Sequence, residues 1–570
     1  MDVPPPTAGT ASEKKAFQDR IQGLVNFWGP RNKKFREWYK QLRQTDDLEQ
    51  KGMESFTTNS PRTNYNLALH LLTPQRVPVK VPNDDLEPNQ LAQSGKMESI
   101  LEDIWDNVDR FNQRRGRARW IRELVGYMLA TGWYAIRVGV GDFGHGDAEA
   151  IAEVWSPAQT YPSFDDNVGL TEVVHRYTVS RASVSKMARD MNLTLPAGTA
   201  RSEVQVDDYW YLGDDDGRVY NCIMVDREWL LRPTLVPDLS VIPVLTSPVA
   251  GLPDRGSILN DKSWIEHIGE AMVATNSQVL KSYNRQMTFL QQLLRDTAQP
   301  ISIERNTGKS IVTDPKDLTK RGAHFYAAVN ESLEYVAKPP VPVELRTQLF
   351  DIDSMLQRGG LPHVMFGNII QQVTGYLISQ VTAAAQQVLS PFGDAVSFIV
   401  TEASIMWVEQ AEKSRLKPYG KSFPKLPKGT RLKAAFRVNV PGDLAMRATV
   451  ARMLNPSYSL SQQRLTDMLF PEITDPQEEM AKVRAEAAMN HPLSVQLDLV
   501  VAWETEATLR EGAGDLESAD NFRSAAAALK SSIGAGGGQG AAAGPTPNGQ
   551  SPRQEVQPRE SLEGPGPNIG

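Results

Sequence analysis

Cysteine is nearly absent: Cys222 is the only one in 570 residues. That excludes a disulfide framework and a four-cysteine zinc site, and it fits a reducing cytoplasm. The seven histidines are scattered, with no HxxxH or HExxH pair, and no nucleophile elbow is present. No segment approaches the ~20 apolar residues of a membrane span. Met1 to Lys15 has three prolines and no apolar core, so no signal peptide is expected. A basic excess is also missing, since 61 Lys and Arg face 68 Asp and Glu for a formal net charge of -7. That argues against a protein that coats DNA by neutralising phosphates. It is compatible with a wall that DNA slides past without sticking.

What is present is a long chain, 40% hydrophobic and 23% charged, enough for several structural units. After a loose proline-bearing start, Ser12 is placed to cap a helix with Phe17, Ile21, Leu24 and Val25 on one face. Helical patterns follow from Asn32, over Asn64 to Leu72, Leu91 to Phe111, and Trp120 to Ala130. At Gly132 the pattern changes. Trp133 to Val138 alternates as a strand with Ala150 to Trp155 as its partner, and Val204 to Leu212 pairs with Arg218 to Val225 across Asp214-Asp215-Asp216-Gly217. Five prolines between 233 and 253 read as an extended connector.

From Ser257 to Leu294 the 3/4 spacing predicts one helix, about 57 Å long at ~1.5 Å per residue. Its stripe is Ile265, Ile268, Met272, Val279, Tyr283, Met287, Leu290 and Leu294, with Asn276 as the polar exception. Such a rod needs neighbours, expected from other copies of the chain. A small β module follows (Ile301 to Ile303, Ser310 to Val312, His324 to Ala327, Leu333 to Tyr335), then a return helix from Val343 to Leu356. Gly359-Gly360-Leu361-Pro362 opens a loop to Thr374. A helix from Gly375 to Lys413 carries Pro391 and Gly393, which predict a kink. Leu432 to Val440 reads as a strand and 445 to 532 as helical. In residues 533–570, 16 of 38 are Gly or Pro, so disorder is expected.

Apparent motifs have plainer readings. Gly139, Gly141 and Gly144 spell GxGxxG, but a strand rather than a helix follows. Gly308-Lys309-Ser310 lacks the first glycine of a P-loop, since Ile303 stands there. Asp214 to Gly217 fits a hairpin turn better than a calcium loop. Asp165-Asp166 and Asp207-Asp208 are adjacent, so on a strand they point to opposite faces, and they are expected at solvated loops or strand ends. The run Arg114, Arg115, Arg117, Arg119, Arg122 could meet nucleic acid or an acidic partner, or be a solvated helix start balanced by Asp106 and Asp109.

The order of parts is more informative than any motif. Arg36-Glu37-Trp38-Tyr39, Asn64 to Leu72, Thr131 to Val138, and GGLPHVMFG (Gly359 to Gly367) followed by Gly375 and the Ala-rich Thr382 to Ala385 resemble portal proteins of tailed double-stranded DNA bacteriophages. The resemblance covers roughly residues 15 to 530. It implies an α+β portal fold: leader 1–15, wing 16–256, stem helix 257–294, clip 295–342, return stem helix 343–358, tunnel loop 359–374, kinked tunnel helix with a wing strand 375–444, crown 445–532, and a disordered tail 533–570. It implies no catalysis, no metal and no cofactor. The expected product is a dodecameric homo-oligomeric ring at a capsid vertex of the virion, assembled in the host cytoplasm, through which DNA is packaged and ejected. Partners implied are the major capsid protein, scaffolding protein, the terminase large subunit, a head–tail adaptor and the passing DNA, with no membrane.

Three sets of residues carry those expectations. Ile265, Ile268, Met272, Val279 and Tyr283 would pack stems around the ring. Arg305, Lys309, Lys316, Lys320 and Arg321 would dock terminase or adaptor. Asn368, Gln371 and Gln372 would touch DNA without fixed charge; the competing reading has Leu361, Val364, Met365 and Phe366 bury the loop on the wing. The alternatives are another head–tail connector or adaptor, and a packaging enzyme, for which an intact P-loop or clustered carboxylates would be needed.

Overall fold

The computed structural model describes residues 11–46, 48–49, 54–74, 77–82, 88–142, 148–190, 193, 202–214, 216–253, 258, 261, 263–298, 302–305, 332–335, 343–361, 375–425, 427, 430–434, 436, 476–489, 491–512 and 514–535. It divides into a larger unit, Met1–Leu460 with Met468–Thr474, and a smaller one, Ser461–Asp467 with Asp475–Gly570. Helix and strand are mixed, as an α+β class requires.

In the larger unit α1 (Ala11–Phe27) starts one residue before the expected Ser12 cap. Trp28 alone separates it from α2 (Gly29–Leu42), which starts ahead of Asn32 with Pro30 in its first turn, where a missing N–H costs nothing. Then come α3 (Ser60–Leu71), β1 (Val79–Lys80), α4 (Pro88–Arg114) and α5 (Trp120–Thr131). Gly132 ends α5 in the left-handed region and feeds β2 (Trp133–Asp142), which pairs with β3 (Ala148–Val154). Gly139 and Gly141 are ladder residues in that hairpin; Gly144 lies outside the described residues.

A five-stranded antiparallel sheet follows, in order β4 (Thr160–Asp165), β5 (Gly169–Ser180), β6 (Glu203–Leu212), β7 (Val219–Val225) and β8 (Glu228–Leu235), with α6 (Arg181–Asp190) between β5 and β6. The β6–β7 turn is the expected Asp-rich hairpin. The 233–253 connector is corrected: β9 (Val244–Pro248) within it pairs with β2 and completes a three-stranded sheet in the order β3-β2-β9. Prolines at its start and end are tolerated because β9 is an edge strand.

The single helix expected over 257–294 is also corrected. The chain forms a short α7 (Trp264–His267), an irregular stretch, and α8 (Ser277–Ala298), roughly 33 Å long at ~1.5 Å per residue. The stretch between has its backbone bonded elsewhere: Glu270 N–H donates to Ala250 O and Met272 N–H to Leu129 O. Gly269 sits at φ +141, and a Cβ there would lie 2.4 Å from Trp133 Nε1. Tertiary contacts therefore override a helical spacing that the sequence carries without interruption.

The chain continues through β10 (Ser302–Arg305), β11 (Ser332–Tyr335), α9 (Val343–Arg358), α10 (Gly375–Ser414) and β12 (Lys433–Ala434), the last paired with β1. The expected strands Ser310 to Val312 and His324 to Ala327 lie outside the described residues, as does the end of the strand read to Val440. Helix α10 runs through Pro391 as one element. Contrary to the expectation that no such segment exists, its Gln387–Ser414 portion is long and apolar enough to cross a membrane. Here that portion is a core helix: Leu389, Phe392, Val396, Ile399, Val400, Ala403 and Trp407 are buried against α4, α5, β2 and β3. Trp105 packs tilted against both Trp120 and Trp407, with ring centroids 4.3 and 4.5 Å away, and Trp407 Nε1 donates to Ile151 O.

A second core joins α1 and α2 to the five-stranded sheet through Phe17, Ile21, Trp28, Phe35, Trp38, Tyr209 and Tyr211. The smaller unit contributes α11 (Pro476–Met489), α12 (Pro492–Gly512) and α13 (Leu516–Ala535). Lys530 with Glu504 and Arg523 with Glu511 fix α12 and α13 antiparallel. Helix α13 ends three residues into the segment expected to be disordered; residues 536–570 lie outside the described ones.

Candidate assembly site

Helices α8 and α9 pack along each other with the antiparallel β10–β11 ladder, Ser302↔Tyr335 to Arg305↔Ser332, between them in sequence. Where the pair enters the body, Asn276 is buried and its Nδ2 donates to Leu356 O at 2.9 Å. Gly359 lies against it: a Cβ there would stand 2.1 Å from Asn276 Oδ1. Neither Gly359 nor Gly360 has positive φ, so neither is there for a backbone angle that other residues avoid. The missing side chain matters for close approach instead.

Along its length α8 holds an extended segment of the N-terminal region. The N–H groups of Glu54, Phe56 and Thr58 donate to Gln292 Oε1 (3.1 Å), Thr288 Oγ1 (3.1 Å) and Asn284 Oδ1 (3.0 Å). Two residues of extended chain advance about 6.8 Å and four of helix about 6 Å, so alternate amides meet every fourth α8 side chain. Arg295 pairs with Glu54 at 3.2 Å to close the row. A cavity of about 330 Å³ lies beside it, walled by Lys40, Gln41, Phe56, Leu280, Lys281 and Arg285 among others.

The residues expected to pack a ring are largely spent inside the chain. Ile265 is 3% exposed; Ile268, Val279 and Tyr283 lie against the same core, and Met272 against the other. This corrects the exposed stripe, because the break at Gly269 turns those positions inward. The uncovered apolar side chains are others: Phe289 (57% exposed), Leu294 (50%), Val343 (74%), Phe350 (75%) and Met355 (55%). Their signal in the sequence was weak, since Leu294 alone belongs to the stripe. Arg305 ends β10 and is exposed. Lys309, Lys316, Lys320 and Arg321, and the loop residues Asn368, Gln371 and Gln372, lie outside the described residues. So do Val364, Met365 and Phe366, while Leu361 is buried in the core.

Charges elsewhere are mostly structural. Arg119 pairs with Asp109, Arg117 with Glu153, and Arg115 lies over Phe111, so much of the 114–122 run is locally balanced. Asp207 and Asp208 do face opposite ways, but they are buried in mid-strand rather than solvated. Asp207 takes two bonds from Arg176, and Asp208, its acidity weakened by burial, accepts from Asn221. Arg31 is 1% exposed; it donates to Pro157 O and Thr160 O and lies over both the Trp28 and Trp133 rings. Burial lowers its pKa to about 9. His175, stacked on Trp155 and Tyr177, is lowered by burial to about 4. Among the described residues no group of three or more His, Cys, Asp or Glu could hold a metal.

No protein-family model and no curated protein matches the chain. Among solved structures it is similar to a chain of the neck of an empty GTA particle computed with C6 symmetry, at 12% identity over 72% of this chain and 90% of that one, with a TM-score of 0.37. Similar too is a chain of the virion of a native gene transfer agent particle, at 12% over 72% and 88%, with a TM-score of 0.38. A third, from the neck of a native GTA particle computed with C12 symmetry, shows 14% over 72% and 99%, with a TM-score of 0.34. These likenesses assign no residue and no activity to this chain.

Proposed function

We propose that this chain is a ring-forming structural subunit of a phage-type head–tail apparatus, and within that class a portal protein. The observation that carries the proposal is the α8–α9 pair. It supports a two-strand ladder at its far end and displays Phe289, Leu294, Val343, Phe350 and Met355, which no described residue covers. Each would contribute about 2 kcal/mol if a neighbour buried it. A ring repeats that gain at every interface, so identical helix pairs set side by side satisfy the surface with one partner type. The order of parts along the sequence supports the finer reading. The ring is dodecameric, sits at a capsid vertex, passes DNA, and uses the 295–342 segment to dock the terminase large subunit and later an adaptor. The subunit performs no catalysis.

The test is the mass and shape of the purified full chain, by light scattering and class-averaged electron micrographs, with and without scaffolding protein. Large rings with a central hole are expected, and Phe289→Asp with Phe350→Asp should leave folded monomers. A wild-type monomer that stays monomeric with scaffolding protein present would overturn the proposal.

A further inference from the structure

Helix α2 carries an unusual outward face. Phe35, Trp38 and Leu42 are buried, together with Arg31 and Asn32. At 100° per residue the opposite side belongs to Lys33, Arg36, Lys40 and Arg43, all exposed, with Tyr39 at its margin, 52% exposed. Across the cavity from Lys40, Lys281 and Arg285 stand one turn apart on α8. Among the described residues none of these six cations has an ion pair. Of the carboxylates nearby, Glu54 pairs with Arg295 and Glu37 at the edge of the face is 3.9 Å from Lys34, while Asp46, held by Leu48 N–H and Ser55 Oγ, keeps its charge beside the cavity. A chain of net charge -7 thus keeps one face on which these six cations outnumber the carboxylates Glu37 and Asp46.

We infer that this α2–α8 face binds the phosphate backbone of nucleic acid, independently of the ring reading and of any channel. From Lys33 to Arg43 the row spans roughly 15 Å. Over that length a duplex strand presents about four phosphates at ~3.4 Å of axis each, matching four cations. Tyr39 adds a neutral hydroxyl of the type that also contacts phosphate. A protein partner would need an apolar centre to anchor it, and apart from Tyr39 the exposed face of α2 offers none. Backbone contact needs only the cations and reads no sequence.

The experiment is fluorescence anisotropy of a 30-bp duplex with the full chain at 50 and 200 mM salt. Six phosphate contacts predict about a thousandfold loss of affinity between those concentrations. The triple variant Arg36→Glu, Lys40→Glu, Arg43→Glu should bind at least tenfold more weakly at 50 mM, with the salt slope reduced by about 3. Lys186→Glu, an exposed charge change on α6, should change neither. Circular dichroism and light scattering on the same samples report folding and assembly, so a failed ring and a failed nucleic-acid site are told apart. Absence of binding at 50 mM, or an unchanged slope in the triple variant, would overturn the inference. Equal competition by polyglutamate of matched charge would overturn it too, in favour of an acidic protein partner.

Discussion

Where α1 and α2 lie on the five-stranded sheet, even a guanidinium is sealed in: Arg31 is 1% exposed and meets two carbonyls and two indole faces. On the α8–α9 pair, by contrast, Phe350 is 75% exposed and Phe289 57%. The first region satisfies a costly polar group internally; the second leaves inexpensive apolar groups unsatisfied. Folding alone accounts for the first; the proposed ring would account for the second.

The largest expected effect breaks the closed region. Arg31→Ala leaves two carbonyls without their donor and empties the space over two rings, so it should cost about 3–4 kcal/mol in urea unfolding followed by tryptophan fluorescence. Arg31→Lys should recover less than half, because an ammonium lacks the planar fork. Nearly as large is an acid effect at His175, which faces Glu153, Arg137 and Arg117. Its folded pKa of about 4 lies below the ordinary 6.5. The stability it contributes is complete above pH 6.5 and is lost as pH falls towards 4, by roughly 3 kcal/mol at 1.36 kcal/mol per unit. His175→Phe should flatten the stability profile across that window.

At the junction of the two regions, Gly359→Ala should cost about 2 kcal/mol, since Asn276 must leave its bond to Leu356 O to admit the methyl group. If Asn276→Ala in the same chain does not reduce that cost, the clash is not with Asn276. Along α8, Thr288→Ala removes one acceptor of the three-bond row and should cost about 1 kcal/mol. Its clearest readout is faster amide exchange at Phe56. Smallest of all for the fold is Phe350→Asp: within about 0.5 kcal/mol of wild type in the monomer, while ring assembly is lost. A monomer strongly destabilised by that change would erase the contrast between the regions.

Much of the architecture was legible because it is local. The helix faces of α1 to α5, the switch to strands at Gly132, the β6–β7 hairpin and the long α10 all follow from periodicity and turn chemistry. Strands β4 and β5 were not read, and β9 was hidden among prolines that suit an edge strand. At the candidate site the sequence supplied the helix pair and the insert between them, and it misjudged which side chains stay outside.

The sequence by itself determined the amphipathic segments, the glycine and proline stops, the exclusion of a disulfide framework and a four-cysteine zinc site by the single Cys222, and the order of parts that resembles a portal. The tertiary structure decided where the 257–294 pattern breaks. Nothing in its spacing interrupts a helix; the break comes from Ala250 and Leu129 accepting the backbone hydrogens and from Trp133 pressing on Gly269. With that break Ile265 is buried and Met272 packs against the core, while Phe289 and Phe350 stay outside. Periodicity records which residues share a face, but only the packed neighbours decide whether that face is covered.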